Sequence, residues 1–289
     1  MSQITGATIG MFDGLHKGHQ YLISQLKKQS EKALVVTFVN HPLWVVTGLR
    51  QPQLLSTPEE KIEALTSMGV TPILLEFDST LRNMTGEEFI NMLAHKYGVN
   101  HLLFGFNNCI GSDRCRLDAD QRLQASTGVK ITRAGELPGD TVISSSTIRN
   151  LITSGDIDQA TNLLGRRYAI CGSVVHGKAI GREIGFPTAN IVVNNSDKII
   201  PAHGVYAADA IEKDGRKFRA VVNIGHRPTI ENTVTPVTIE AHLDDFTGDL
   251  YNQSLTLQFI KRLRGEKKFA SLEELKSAIA NDLASARAL

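Results

Sequence analysis

Short apolar runs alternate with amphipathic stretches through the first half of the chain. Residues 4–9, 33–38, 72–77 and 101–104 have the length and apolar content of strands, the first two reading as buried, and residues 130–133 read as a short fifth. Between them lie helical patterns. In residues 20–30, Tyr21, Leu22, Ile23 and Leu26 recur near a period of 3.6. Thr57-Pro-Glu-Glu60 opens a second helix with Ile62, Leu65 and Met68 as its expected apolar face, and Thr85-Gly-Glu-Glu88 caps a third with Phe89, Ile90 and Leu93 inward. Strands alternating with helices predict an open parallel sheet. A further helix over residues 154–165 ends at Gly165, and the pattern then changes to strands separated by turns, at 168–176, 204–207, 221–225, 238–243 and 254–260. In the fourth of these, Ile239, Ala241 and Leu243 share one face, while Thr238, Glu240 and His242 share the other. One strong helix remains, opened by Ser271-Leu-Glu-Glu274, with Leu272, Leu275, Ile279 and Leu283 expected to face inward. The change of pattern divides the chain into residues 1–164 and 165–289.

The first strand runs into Gly10-Met-Phe12-Asp13-Gly14-Leu-His16-Lys-Gly18-His19, and a helix follows. That order puts the turn at the carboxyl end of a parallel strand, where α/β sheets bind ligands. Gly14 and Gly18 permit tight turning and close approach, the helix start offers unpaired N–H groups to an anion, and His16 and His19 add two imidazole donors. Phosphate handling is the reading these residues favour over a structural or metal-binding histidine pair. His41, in Asn40-His41-Pro42 after the second strand, falls on the same rim and is open between a surface loop residue and a nucleotide contact. Ile143-Ser144-Ser145-Ser146-Thr147-Ile148-Arg149 begins another helix. Serines there would serve as caps in any event, but hydroxyls, free N–H groups and an arginine at one terminus also suit a triphosphate.

In the second half, Gly177-Lys178-Ala-Ile-Gly181 leads through Gly185-Phe-Pro187 to Thr188-Ala-Asn190. Thr188 and Asn190 would share a face of an extended segment, and a hydroxyl and an amide oxygen suit Mg²⁺ bound jointly with substrate phosphates. The bland alternative is a polar edge-strand face. Glu240 follows on its own strand; a glutamate there is usually solvated, and after a phosphate loop it is also a candidate base. His226-Arg227-Pro-Thr229 and Arg262-Leu-Arg264-Gly-Glu266-Lys-Lys-Phe269 stay open between solvated turns and ligand contacts.

Composition narrows the classes. The 289 residues carry a net charge of +1, which argues against a generally basic nucleic-acid surface. Three cysteines (Cys109, Cys115 and Cys171) form no C-x-x-C pair and read as free thiols in a reducing compartment. With neither an amino-terminal signal pattern nor a run long enough to span a bilayer, a cytoplasmic protein with no membrane partner is expected.

The turn G-x-F-D-G-x-H-x-G-H is similar to the signature of the adenylyltransferase module of bacterial bifunctional riboflavin kinase/FMN adenylyltransferases. The chain resembles that family from about Ile4 to Ala286. Phe38–Pro42 matches its F-x-x-H-P, residues 143–149 its I-S-S-T-x-I-R, and residues 177–190 its G-x-x-x-G-R-x-x-G-F-P-T-A-N. The resemblance implies a Rossmann-like nucleotidyltransferase domain followed by a small antiparallel β-barrel with a C-terminal helix. It implies riboflavin, FMN and ATP as substrates, with Mg²⁺. Gly10, Phe12, Asp13, Gly14, Gly18, His41, Ser144, Ser145 and Arg149 would meet ATP in the first domain, with His16 and His19 stabilising charge. Gly177, Lys178, Gly181 and Thr188 would meet ATP in the second. Thr188 and Asn190 would hold the metal, Glu240 would be the base, and Asn107, Arg264 and Glu266 would lie near flavin. Four positions depart from the family pattern. Met11 and Thr147 stand where Asn and Arg are usual, and Asn108 and Ile110 stand where aromatics are common. An active kinase beside a degenerate first domain, and a non-catalytic flavin or nucleotide sensor, are the alternatives.

Overall fold

The structure, a computed structural model, describes residues 3–105, 108–115, 119–137, 143–177, 180–226 and 237–289. It divides into two compact units, Met1–Ser145 and Ser146–Leu289. The first is built on a parallel sheet of β1 (Thr5–Ile9), β2 (Lys32–Phe38), β3 (Thr71–Leu75), β4 (His101–Phe104) and β5 (Lys130–Arg133), in the order β3-β2-β1-β4-β5. Six helices accompany it: α1 (Lys17–Gln29), α2 (Pro42–Thr47), α3 (Pro58–Ser67), α4 (Ser79–Asn83), α5 (Gly86–Tyr97) and α6 (Asp120–Thr127).

β2 and β4 carry near-continuous apolar runs because both faces of the sheet are covered. Ala7, Ile9, Leu34, Val36, Leu102 and Phe104 pack on one side with Phe89, Ile90 and Leu93 of α5. Val35 and Leu103 pack on the other with Leu22, Ile23 and Leu26 of α1 and Leu65 of α3. Thr57 and Thr85 each close a capping box, with Glu60 and Glu88, as expected. Two expectations need correction in this unit. α1 starts at Lys17 rather than Gln20, because His16 itself caps it. The inward face of α3 is Lys61 and Leu65, whereas Ile62 is 40% exposed. The short helices α2, α4 and α6 lack the sustained apolar stripe that would have marked them.

The second unit opens with α7 (Ser145–Ser154) and α8 (Ile157–Leu164). The barrel strands are β6 (Ala169–Val175), β7 (Ala189–Val193), β8 (Gly204–Glu212), β9 (Lys217–His226), β10 (Val237–Leu243) and β11 (Ser254–Arg264); the helices α9 (Ile180–Glu183) and α10 (Leu272–Arg287) complete the unit. The strands close antiparallel in the order β10-β7-β6-β11-β8-β9, which removes the free edges an open sheet would expose. Tyr206, Val222, Ile224, Leu257 and Phe259 are buried, and so are Ile239, Ala241 and Leu243, the face that the alternation in β10 predicted. Outside the wall, Leu283 and Ala286 of α10 cover Val205, Ala207 and Val221. Leu272, expected inward on α10, is 56% exposed. α8 begins at Ile157, capped by Asp156, and as expected it ends at Gly165, whose φ of 72° suits glycine. β11 continues through Arg264 into what read as a turn, and α9 forms a helical turn within the expected glycine loop. Among the described residues, no helix is long and apolar enough to cross a membrane.

Candidate active sites

In the first unit, the chain leaves β1 at the strand that has β2 on one side and β4 on the other. This is where a doubly wound sheet opens a crevice. Thr37 Oγ1 donates to Met11 O at 2.8 Å and Gly10 N to Val36 O at 3.1 Å, tying the turn to β2. Phe12 (φ 47°), Gly14 (φ 80°) and Leu15 (φ 48°) all sit in the left-handed region. Two of them are not glycine, so the turn stores backbone strain, a habit of ligand-binding loops. Asp13, fully buried, accepts from Leu55 N (3.0 Å) and Ser56 N (2.8 Å), while Ser145 Oγ donates to the Asp13 carbonyl at 2.9 Å.

His16 caps α1, its Nδ1 accepting from His19 N at 3.3 Å. In the neutral ring the proton is therefore assigned to Nε2, which becomes a donor. The His16 and His19 rings stack with centroids 3.6 Å apart. Gly18 fits beneath them because a Cβ there would lie 3.2 Å from the His16 ring. Burial lowers the His16 pKa to about 4, against a smaller opposing pull from Asp13. Burial, then the His16 and Lys61 charges, hold His19 well below its ordinary value. Both imidazoles are therefore neutral donors near pH 7. The His19 Nδ1 is buried with no hydrogen-bond partner among the described residues. An unpaired buried polar atom is costly, which makes it a place for a ligand oxygen.

Around this turn, His41 caps α2, its Nδ1 accepting from Leu43 N at 3.2 Å. Asn108 Nδ2 donates to Ile9 O at 2.8 Å, and Arg133 Nη1 donates to Asn108 O at 2.9 Å, so the loop after β4 is fastened beside the turn after β1. Ile110 is 7% exposed within the core. Neither residue is placed as a stacking aromatic would be. Asn107 lies outside the described residues, as do Lys178, Arg227 and Thr229. Ser144 precedes α7, and Arg149 is buried on α7 in the second unit.

Sequence reasoning missed Lys61. It is wholly buried, with its Nζ donating to Phe38 O at 2.5 Å and lying 3.5 Å from both Thr37 Oγ1 and Met11 O. A lysine between acidic helix neighbours reads as solvated, so nothing local could have revealed it.

In the second unit, β7 and β10 pair in a register that sets Asn190 directly opposite Glu240, and β9 sets Asn223 opposite Glu240 on its other side. Cross-strand partners project to one face with their Cβ atoms about 4.5–5.5 Å apart, so the carboxylate stands between two amides. Asn223 was read only as part of a strand, and its neighbour across the sheet could not be read from its own segment. A Cβ on Gly177 would lie 2.1 Å from Asn190 Nδ2, and one on Gly181 would lie 2.3 Å from Phe186 O and 3.2 Å from Thr188 Oγ1. Gly177 and Gly181 therefore permit a close approach of the backbone to Asn190, Phe186 and Thr188 that side chains there would block. His242 Nδ1 lies 2.8 Å from Pro187 O, and its ring meets Phe186 edge-on, fixing the far end of the loop to β10.

The two flavin candidates separate. Glu266 lies against Gly225, where a Cβ would be 2.0 Å from its Oε1, and its Oε2 is 3.6 Å from His203 Nδ1. This places its carboxylate on the same outer wall as Asn223 and Glu240. Arg264 forks onto Asp282 of α10 at 2.8–3.1 Å, with its guanidinium over Phe269.

The FAD synthetase family model matches residues 2–148, and the riboflavin kinase family model matches residues 164–289. A bifunctional riboflavin kinase/FMN adenylyltransferase of Pseudomonas fluorescens is 37% identical, over 98% of this chain and 92% of the relative. One from Bacillus subtilis is 36% identical, over 95% and 89%. A crystal structure described as a macrolide-efflux protein from Streptococcus pneumoniae superposes with a TM-score of 0.90 at 28% identity, covering 99% of this chain and 95% of that one. That name belongs to the other protein; the likeness is one of fold. With both family models matched in this order, and relatives of this kind aligned along nearly the whole chain, the chain belongs to the bifunctional riboflavin kinase/FMN adenylyltransferase family.

Proposed function

We propose that the chain makes FAD in two steps. The second unit transfers the γ-phosphoryl group of ATP to the ribityl 5′-hydroxyl of riboflavin, giving FMN and ADP. The first unit joins FMN to the α-phosphate of a second ATP and releases pyrophosphate. The observation that supports this reading is that each unit holds a glycine-bearing turn beside polar groups that suit its step: Gly10–His19 with the stacked pair His16 and His19, and Gly177 and Gly181 against Asn190 and Thr188 with Glu240 opposite Asn190.

In the kinase step, Glu240 orients the hydroxyl and takes its proton, while Gly177, Lys178 and Gly181 lie along the nucleotide. Thr188 and Asn190 would hold Mg²⁺, because a hydroxyl and an amide oxygen are hard donors and the ion takes its remaining ligands from phosphate oxygens and water. Bound there, the ion would supply charge neutralisation at the transferring phosphoryl group. Glu266 meets flavin from the same wall. Arg264 acts through its bond to Asp282, which holds the end of β11 under α10.

In the adenylyl step, Gly10, Phe12, Asp13, Gly14, Gly18, His41, Ser144 and Ser145 shape the ATP site. His16 and His19 donate to the α-phosphate as charge builds. Asn107 meets flavin. Catalysis here is positioning and electrostatics, so no covalent nucleophile is needed. The functional boundary lies near Gly165, and the protein works in the cytoplasm.

Chromatography of flavins after incubation of the full chain with riboflavin, ATP and Mg²⁺ tests the proposal. Both FMN and FAD should accumulate. His19→Ala should abolish FAD while sparing FMN, and Glu240→Gln should abolish FMN formation while leaving supplied FMN convertible to FAD. FMN alone from the unaltered chain would reduce the protein to a kinase, and neither product would leave only the sensor.

A further inference from the structure

Lysine is almost never fully buried unless it is paired, and a buried charge pair is weak evidence of stability, since an apolar pair of similar volume often does as well or better. Lys61 therefore calls for an explanation other than stability. It enters from α3 and reaches Phe38 O at the end of β2, with Thr37 Oγ1 and Met11 O nearby. The charged and titratable groups facing it are Asp13 on the turn, whose carboxylate accepts from the backbone at Leu55 and Ser56, and the histidines of α1. Those histidines are neutral, so they can donate hydrogen bonds to a polyphosphate but bring it no charge. The ammonium does.

We propose that Lys61 is a positioning residue for adenylyl transfer: it ties the end of β2 to the turn after β1 and supplies positive charge close to the histidine pair. This rests on the adenylyl-transfer reading of the first unit. Burial, partly opposed by Asp13, lowers its pKa to about 8, so the charge is present at neutral pH and is lost as pH rises through that value.

The test uses full-length protein with FMN, ATP and Mg²⁺, following FAD from about pH 7 to about pH 10, alongside Lys61→Met and Lys61→Arg. Lys61→Met should lower kcat for FAD on the order of 100-fold. It should leave riboflavin phosphorylation and the emission of the sole tryptophan, Trp44, unchanged, a combination that a purely structural lysine would not give. In the unaltered protein, kcat should decline as pH passes through about 8, and in Lys61→Arg that decline should disappear. Lys61→Met activity within about threefold of the parent, or a flat parent profile across the range, would overturn the proposal. If Lys61→Met loses native Trp44 emission, the parent profile decides alone. A parent that makes FMN but no FAD at any pH would remove the adenylyl-transfer reading itself, and Lys61's role with it.

Discussion

Two imidazoles stacked 3.6 Å apart cannot both take protons cheaply, and burial already disfavours the first. For His16 the direction has a consequence for stability. Its folded pKa of about 4 lies below the ordinary 6.5, so between these values the unfolded chain binds the proton first. Its contribution is complete above about pH 6.5 and is lost as pH falls through about 4, amounting to about 3 kcal/mol for this group alone. Thermal unfolding followed by Trp44, whose Nε1 donates to Pro52 O at 3.0 Å, should therefore show a midpoint that drops from neutral pH toward about pH 4.5. His16→Asn keeps a side-chain cap and removes the titrating ring, so it should flatten that drop. An unchanged dependence in the variant would place the acid sensitivity elsewhere. The pair was legible from sequence because glycines and a preceding strand fixed its place. Lys61 was not, because its acceptors on β2 are remote in sequence and its helix neighbours are acidic.

At the level of elements, buried strands declared themselves and short helices did not. β4 falls where its apolar run does, whereas α2, α4 and α6 hold too few turns to show a period. The kinase wall shows what local patterning cannot supply. Alternation along β10 put Glu240 on the face away from the core, but only the β10–β7 register brings it to Asn190, and only the β10–β9 register brings in Asn223. The glycine loop is coupled to the same wall by close approach. Gly177→Ala would drive a methyl to 2.1 Å from the Asn190 amide, so the amide must turn away. Riboflavin phosphorylation should fall about 100-fold from a displacement of this kind, with the loss larger at low Mg²⁺. Conversion of supplied FMN to FAD should continue at the parent rate, because the altered loop belongs to the other step. Equal loss of both activities would mean that the substitution disturbs more than Asn190.

For the whole molecule, the change from helix–strand alternation to strands marked Gly165, yet the compact second unit begins at Ser146. The reason lies in what α7 and α8 cover. Ile148, Ile152, Ala160 and Leu164 have no exposure and Ile157 has 1%, and α8 packs on β11. Ala202 N donates to Ile152 O, while Arg262 of β11 reaches both Ser154 O and His203 O. None of these partners is adjacent in sequence, so patterning assigned the helices to the strands before them. Burial of each large apolar side chain stabilises by about 1.5–3 kcal/mol, and a fragment beginning at residue 165 would forgo several of them and bare part of the barrel wall. A fragment of residues 146–289 should therefore unfold at a clearly higher temperature than one of residues 165–289. Both retain Gly177, Thr188, Asn190 and Glu240, so the longer fragment should phosphorylate riboflavin at close to the full-chain rate, while the shorter one loses activity on warming as its wall opens. Matching melting curves for the two fragments would show that α7 and α8 lend the barrel nothing, and would make Gly165 the folding boundary as well as the functional one.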